Sequence, residues 1–466
     1  MPPAGAPAGN PQWELDNDFS VSEDTPDWTW RVNAAFENYF NTKKELTFRE
    51  AYKKQELKTR LDFKYGSGCR YVQSITDVRF SPVLINSDIG DDFPYAANSR
   101  IWRNLRISGE SGEVIVRELY YCFLQGSYRL RIGNQVYPWG TADGLNPTSW
   151  LNPRDLRELF LIPEEEFLLG VPSVSGMFFF SDFTLSLVFV PVHTAAALPS
   201  SNHFWAVKEA ADKYPVYFDA PDPMAASSEN FAYAARAAST VGGIDFSVSG
   251  YHGPDNDMLM VPWRIITVPG QPTGLLIRPR SFLVNYVGAD FSFSRGDWVI
   301  NAEAAYCPNK SGLVAQDTDR PWNLRFPYDI RETDYLAYSL GFNYYIPLYR
   351  LLPGHAGEAL FTAEWYQASS FDKAVIDPLI SELLSFELRD SYFDKRVDVR
   401  LTAIFETRGG GVIFWPRLGY DFGNGFAAEL GWLGVNGRGK GDYERNSFFY
   451  HYRENDLITA KITFSF

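Results

Sequence analysis

The chain is poor in cysteine and histidine, with three Cys and five His in 466 residues. Cys69, Cys122 and Cys307 lie far apart and no C-x-x-C occurs, so neither a disulfide scaffold nor a zinc site is implied. They read as small packing residues. His193, His203, His252, His355 and His451 fall in or near loops, not mid-strand beside a Ser or Asp. No G-x-S-x-G is present; Pro172-Ser173-Val174-Ser175-Gly176 lacks the first glycine at the right place. The chain therefore reads as no enzyme, with no catalytic residue, no metal and no cofactor. Basic residues are also outnumbered, 43 Lys and Arg against 57 Asp and Glu, for a net charge of −14. That balance excludes nucleic acid, whose phosphates need a basic stripe. No apolar run reaches the roughly 18 residues of a membrane-spanning helix. The nearest, 177–192, is broken by Ser181-Asp182, a tight turn between two short strands. The opening MPPAGAPAGNPQ lacks the basic start and apolar stretch of a signal peptide, so 1–27 reads as a periplasmic segment or a tag.

Aromatics are abundant, at 16% with 27 Tyr, 36 Phe and 13 Trp. Many segments alternate with a period of two, the signature of strands. In 56–65, Leu57, Leu61, Phe63 and Tyr65 oppose Glu56, Lys58, Arg60, Asp62 and Lys64. In 396–406, Val397, Val399, Leu401, Ala403 and Phe405 oppose Arg396, Asp398, Arg400, Thr402 and Glu406. Segments 298–306 and 426–433 behave alike. With 29–40, 72–82, 98–107, 113–123, 127–137, 175–180, 183–192, 231–242, 244–252, 282–295, 333–346, 358–369, 411–422 and 454–466, about 18 candidates emerge, near the ten-residue length that crosses a bilayer at a tilt. Short turns such as 295–297 and 423–425 alternate with long inserts at 193–230, 253–281, 308–332 and 437–453, as in an outer-membrane barrel.

A propeller would need a repeat of about 40 to 50 residues, and none is visible. The chain also ends in strand, LITAKITFSF, with Ile458, Ala460, Ile462, Phe464 and Phe466 on one face. In a closed barrel that strand pairs with the first and leaves no edge. This ending resembles the C-terminal signal of outer-membrane barrels with its terminal Phe. The fold class expected is all-β: a transmembrane antiparallel up-and-down β-barrel of 16–18 strands over 28–466, in the outer membrane, with short loop helices folded inward.

Lipid accepts only apolar side chains at mid-depth, so the charged faces look inward. Arg60, Asp62, Lys64, Arg129, Arg131, Gln135, Glu303, Arg396, Asp398, Arg400, Arg417 and Glu429 are thus expected to line the lumen. After the strand holding Arg129 and Arg131 comes 137–155, YPWGTADGLNPTSWLNPRD, too rich in proline for a helix or central strand. The chain is expected to leave the wall there and enter the lumen, making 139–173 a loop or plug. Asn152 would cap a short helix with Pro153 at its first position and Asp155 in its first turn. Arg129 and Arg131 would anchor Glu164-Glu165-Glu166. Helical spacing at Ile376, Leu379, Leu383 and Phe386 predicts a second loop helix over 371–390, and 202–214 reads as a further one. Asp88, Asp91 and Asp92 read as a solvated turn rather than a calcium loop.

Gly133-x-Gln135-x-x-x-Trp139-Gly140, then Asp143, then Asn152-Pro153-x-Asp155, resembles the signature of an uncharacterised proteobacterial outer-membrane family. The resemblance covers about 25 residues and implies a porin-type barrel, often encoded near efflux-type exporters of lipids or hydrophobes. It carries no catalytic residues over.

Three functions follow as expectations. The first is passive diffusion of small polar or amphipathic solutes through a pore constricted by the inward loop. The second is a conduit for lipids or hydrophobic compounds working with an export system. The third is a scaffold docking periplasmic or surface proteins. Outer-membrane lipid surrounds the barrel in each.

Overall fold

The computed structural model describes residues 27–42, 51–81, 106–108, 112–162, 164–199, 204–207, 209–210, 214–219, 224–225, 227–267, 273–316, 325–350, 357–378, 380–437 and 448–466. Eighteen strands form one closed antiparallel barrel. They are β1 (Asp27–Asn41), β2 (Tyr52–Ser67), β3 (Arg70–Phe80), β4 (Gly112–Gln125), β5 (Tyr128–Gln135), β6 (Val171–Phe179), β7 (Thr184–Val190), β8 (Ala232–Val241) and β9 (Ile244–Pro254). The circuit continues with β10 (Leu283–Arg295), β11 (Trp298–Leu313), β12 (Ile330–Ile346), β13 (Ala359–Ser370), β14 (Glu382–Tyr392), β15 (Val397–Glu406), β16 (Gly411–Gly423), β17 (Phe426–Asn436) and β18 (Leu457–Ser465). Each strand pairs with its chain neighbour, and β1 closes on β18 from Asn33 opposite Ser465 to Asn41 opposite Leu457. Reciprocal bonds between Val32 and Phe466 seal the seam, at 2.9 and 3.0 Å. Closure pairs the wall's backbone groups, as hydrocarbon demands.

Period-two alternation sets the two faces. Leu57, Leu61, Phe405, Leu418, Leu430, Trp432 and Phe464 are exposed, while Glu56, Lys54, Asp77 and Glu303 on the other face are buried. The apolar side faces lipid and the charged side the interior. Tight turns join strands at the end that holds both described termini. At one of them Asn424 and Gly425 both have positive φ, 54° and 76°, the primed geometry that matches strand twist.

Several expectations change. Residues 382–392 form wall strand β14, not a helix, and 371–378 is a turn and an isolated bridge. Of 98–107 only 106–107 are described; with Ser108 they form the short strand Arg106–Ser108, which pairs with β4 and is not one of the eighteen. In 202–214 the described residues form a turn and the two-residue strand Glu209–Ala210, without a helix. That strand joins Tyr214–Phe218, Leu259–Ile266 and Gly274–Arg280 in a separate four-stranded sheet at the long-loop end. Cys122 and Cys307 are buried, but Cys69 is exposed at the β2–β3 turn, which does not fit the packing role read for it. His252 lies near the end of β9, beside the loop that follows it, and the acidic turn at 88–92 lies outside the described residues.

Candidate functional site

β5 and β6 have only 8 and 9 residues, against 16 and 17 in β11 and β12. The wall ladder stops at Gln135 because polar side chains take over the backbone groups. Val136 N donates to Glu118 Oε1 at 3.0 Å and Tyr137 N to Asn152 Oδ1 at 2.6 Å. Asn152 Nδ2 then donates to the carbonyls of Gln135 and Leu169 at 3.0 and 2.8 Å. One side chain thus clasps the exit and the return of the segment 136–170. Asn152 does not cap a helix, because its amide and carbonyl are committed to this clasp. The local structure is a single 3-10 turn, Leu159–Leu161, and one helical turn, Glu164–Phe167. Prolines and the clasp keep Asn152, Pro153 and Asp155 extended: Asp155 N bonds Phe167 O and Leu169 N bonds Pro153 O, both at 2.8 Å.

The segment crosses the interior and is held on opposite walls. Toward β11–β13 its backbone amides grip two wall carboxylates. Thr141 N, Ala142 N (2.6 Å), Thr148 N (3.3 Å) and Thr148 Oγ1 (2.9 Å) donate to Glu303. The amides of Asp143, Gly144 and Leu145 donate to Glu364 at 2.8, 3.0 and 3.2 Å. Asn343 Nδ2 donates to Asp143 Oδ2 at 2.9 Å. Trp150 stacks on Tyr286 with centroids 4.9 Å apart, and the absent side chain of Gly288 makes its room, since a Cβ there would meet Trp150 at 2.6 Å. Trp139 lies in the same buried cluster.

Toward β1–β4 the grip is ionic. Glu158 takes Lys54 at 2.8 Å and Arg79 at 3.1 Å. Arg157 bonds Glu113 at 2.9 Å and Asp155 at 2.6 Å. Arg117 Nη1 donates to the carbonyl of Glu166 at 2.6 Å, and the Glu166 carboxylate meets Lys58. A pocket of about 20 Å³ remains among Lys58, Arg79, Arg117, Asp155, Arg157 and Glu158, room for roughly one water. On the third side Leu161 joins an apolar cluster with Tyr39, Trp205, Leu433, Phe449 and Leu457.

Burial pushes the Asp155 carboxyl up, but Arg157, with Arg117 and Arg79 behind it, outweighs burial and holds it well below the usual carboxylate range. Asp143 has no such cation. Burial raises it, offset in part by the Asn343 bond.

The expected residues divide accordingly. Arg60 pairs with Asp77 at 2.8 Å, and Asp62 accepts from Gln73. Lys64 sits 4.1 Å over the Tyr71 ring. Arg129 and Arg131 do not reach Glu166; they lie over the Phe179 and Tyr120 rings at 5.6 and 4.9 Å. Gln135, 1% exposed, ties β5 to β6 through Ser173 and Ser175 instead of meeting open lumen. Asp398, Arg400 and Arg417 lie together on β15 and β16, Arg396 is exposed beside the turn before β15, and Glu429 stands opposite Lys461. Lys54, Arg79, Arg117, Arg157, Glu158 and Glu364 were not singled out as site residues. Glu364 has a readable signal, an acid in the middle of the candidate strand 358–369, where only the inner face tolerates charge.

The closed barrel with lipid-facing apolar strands defines an outer-membrane protein of porin fold. Solved structures agree. OccAB1 of Acinetobacter baumannii matches with a TM-score of 0.50 at 9% identity, covering 96% of this chain and 97% of that one. OccAB4 of the same organism matches with a TM-score of 0.50 at 9% identity, over 96% and 98%. No protein-family model matches the chain, and no curated protein does.

Proposed function

We propose that the protein is a porin-like channel for passive diffusion of small polar or amphipathic solutes, constricted by segment 136–170. One observation carries this reading: backbone amides of 141–148 bind Glu303 and Glu364 while Glu158 binds Lys54 and Arg79. The segment is therefore braced from several sides of the bore. Its hold on Glu303 and Glu364 uses hydrogen bonds in a water-poor site, where they are stronger than in water. Neither a nucleophile–base pair nor a cofactor enters this reading.

Reconstitution in planar bilayers tests it. Discrete conductance steps are expected, and the E303Q/E364Q variant, with weakened amide acceptors, should give larger steps. A protein that inserts and never conducts would defeat the proposal.

The apolar cluster of Tyr39, Leu161, Trp205 and Phe449 inside the barrel favours a second reading, the conduit for lipids or hydrophobic compounds. Its mark would be lipid that co-purifies with a non-conducting barrel.

A further inference from the structure

On the inner face of β12, Ser339 and Asn343 flank Gly341, while Asn301 on β11 and Glu364 on β13 stand directly opposite it. These four are its nearest neighbours on that face. All are polar, and none is more than 4% exposed. Segment 136–170 crosses above them, since the amides of 143–145 bind Glu364 and Asn343 Nδ2 holds Asp143 Oδ2 at 2.9 Å. Gly341 leaves room at the centre of the ring. A Cβ there would meet nothing nearer than Asn301 Cβ at 3.4 Å and Asn301 Nδ2 at 3.8 Å, both ordinary contacts. Gly144 at the rim is exposed, which gives access from the lumen.

Two features of this ring call for a ligand. The Asn301 amide at both ends, Ser339 Oγ and Asn343 Oδ1 have no hydrogen-bond partner among the described residues. Buried polar atoms left unpaired are costly, and here several gather around one point. The second feature is charge. Asp143 and Glu364 are close enough to repel each other, and no Lys, Arg or His pairs with either among the described residues. Cations of the adjoining rows are committed elsewhere, Arg417 to Glu387 at 3.1 Å and Arg236 to Asp290 at 3.4 Å. A water would satisfy the neutral oxygens and leave the two carboxylates opposed; a metal cation answers both. Among the described residues no three acidic, His or Cys side chains converge on a point. The set is instead two carboxylates with the oxygens of two amides and a hydroxyl. Hard oxygen donors without nitrogen or sulfur suit alkaline-earth ions. Those oxygens and a water or two reach the roughly six to eight ligands that Ca²⁺ takes in flexible geometry, whereas Mg²⁺ demands a near-ideal octahedron.

We infer that Asp143, Glu364, Asn301, Ser339 and Asn343 form a calcium site that pins segment 136–170 to β11–β13. Its part in setting the constriction rests on the channel reading, and the binding does not. No spacing in the sequence announces the site, because its oxygens come from three strands and the crossing segment.

The test is calorimetry with CaCl₂ and MgCl₂ on the full-length barrel, refolded without lipopolysaccharide and stripped with EDTA, beside thermal melts and bilayer recordings. One Ca²⁺ per chain should bind, at least about tenfold more tightly than Mg²⁺. The melting temperature should rise with Ca²⁺ concentration. D143N should lose the binding. In EDTA that variant should melt above the wild-type protein at about pH 7, since an uncompensated charge is gone, and in Ca²⁺ the order should reverse. A mere packing defect in D143N would lower both melts without reversing them, and would count against the site. G341V, which fills the ring and removes no oxygen, should also lose Ca²⁺; D143N decides alone if G341V fails to fold. Absence of Ca²⁺ binding, equal affinity for Mg²⁺, or unchanged binding in either folded variant overturns the site. Conductance steps without Ca²⁺ binding sink the site and keep the channel. Ca²⁺ binding by a barrel that never conducts does the reverse.

Discussion

Asp143 and Asp155 sit in one segment and have opposite electrostatics. Asp155 is paired with Arg157, so its folded-state pKa is depressed. Its stabilisation is present above the ordinary carboxylate range and is lost only as pH falls through the depressed value. Asp143 is buried without a cation, so its folded-state pKa is raised. Any benefit from its neutral form is present below the ordinary range and is lost as pH rises through the raised value. D143N should therefore raise the melting temperature at about pH 7 and change little at about pH 4, near the ordinary carboxylate pKa. D155N should do harm at both, by roughly 1.5–3 kcal/mol, since Arg157 loses one of its two carboxylate partners and keeps Glu113. Thermal melts of both variants at the two pH values check this; a D143N gain that persists at acid pH would contradict it. The sequence showed Trp139, Asp143, Asn152 and Asp155 as a group worth notice. It could not show that Asn152 is a clasp, because the groups it joins, Gln135 and Leu169, are each 17 residues away.

At the scale of elements, most of the wall was legible because two solvents impose a period of two on every strand. β14 was not. Its residues satisfy both templates: Ile376, Leu383 and Phe386 at helical spacing, and Leu384, Phe386 and Leu388 alternating with Ser385, Glu387 and Arg389. Tertiary context decides, since without β14 the edges of β13 and β15 would stand unpaired in hydrocarbon. The expected count of about 18 strands matches because the candidate at 98–107 offsets the wall strand at 382–392 that the pattern does not show. Phe386 belongs to an outward aromatic row, with Phe361 at 6.2 Å and Phe405 at 6.0 Å. F386R should then cost about 2–4 kcal/mol near mid-bilayer, while F386L costs far less. Urea unfolding in liposomes measures the difference; equal midpoints would place this row away from lipid.

For the molecule as a whole, the inward segment and the wall are held by different forces. The wall rests on a closed backbone ladder. The segment rests on side chains and amides, including Arg157–Asp155 and Arg157–Glu113, whose side chains are no more than 3% exposed. Salt screens exposed pairs within about 3 Å at 1 M, but ions cannot enter a space of roughly one water, so the buried pairs keep their strength. Raising NaCl from about 0.1 M to about 1 M should scale the wild-type conductance with the bulk solution and produce no second, larger step. R157A takes the bonded cation from Asp155 and one of two cations from Glu113, which keeps Arg79 at 3.2 Å. It should open larger steps at every salt concentration while the barrel stays folded, because no wall backbone bond is lost. A larger step that grows in with salt in the wild-type protein would mean that these pairs are solvated, and that the segment rests on the wall without being latched to it.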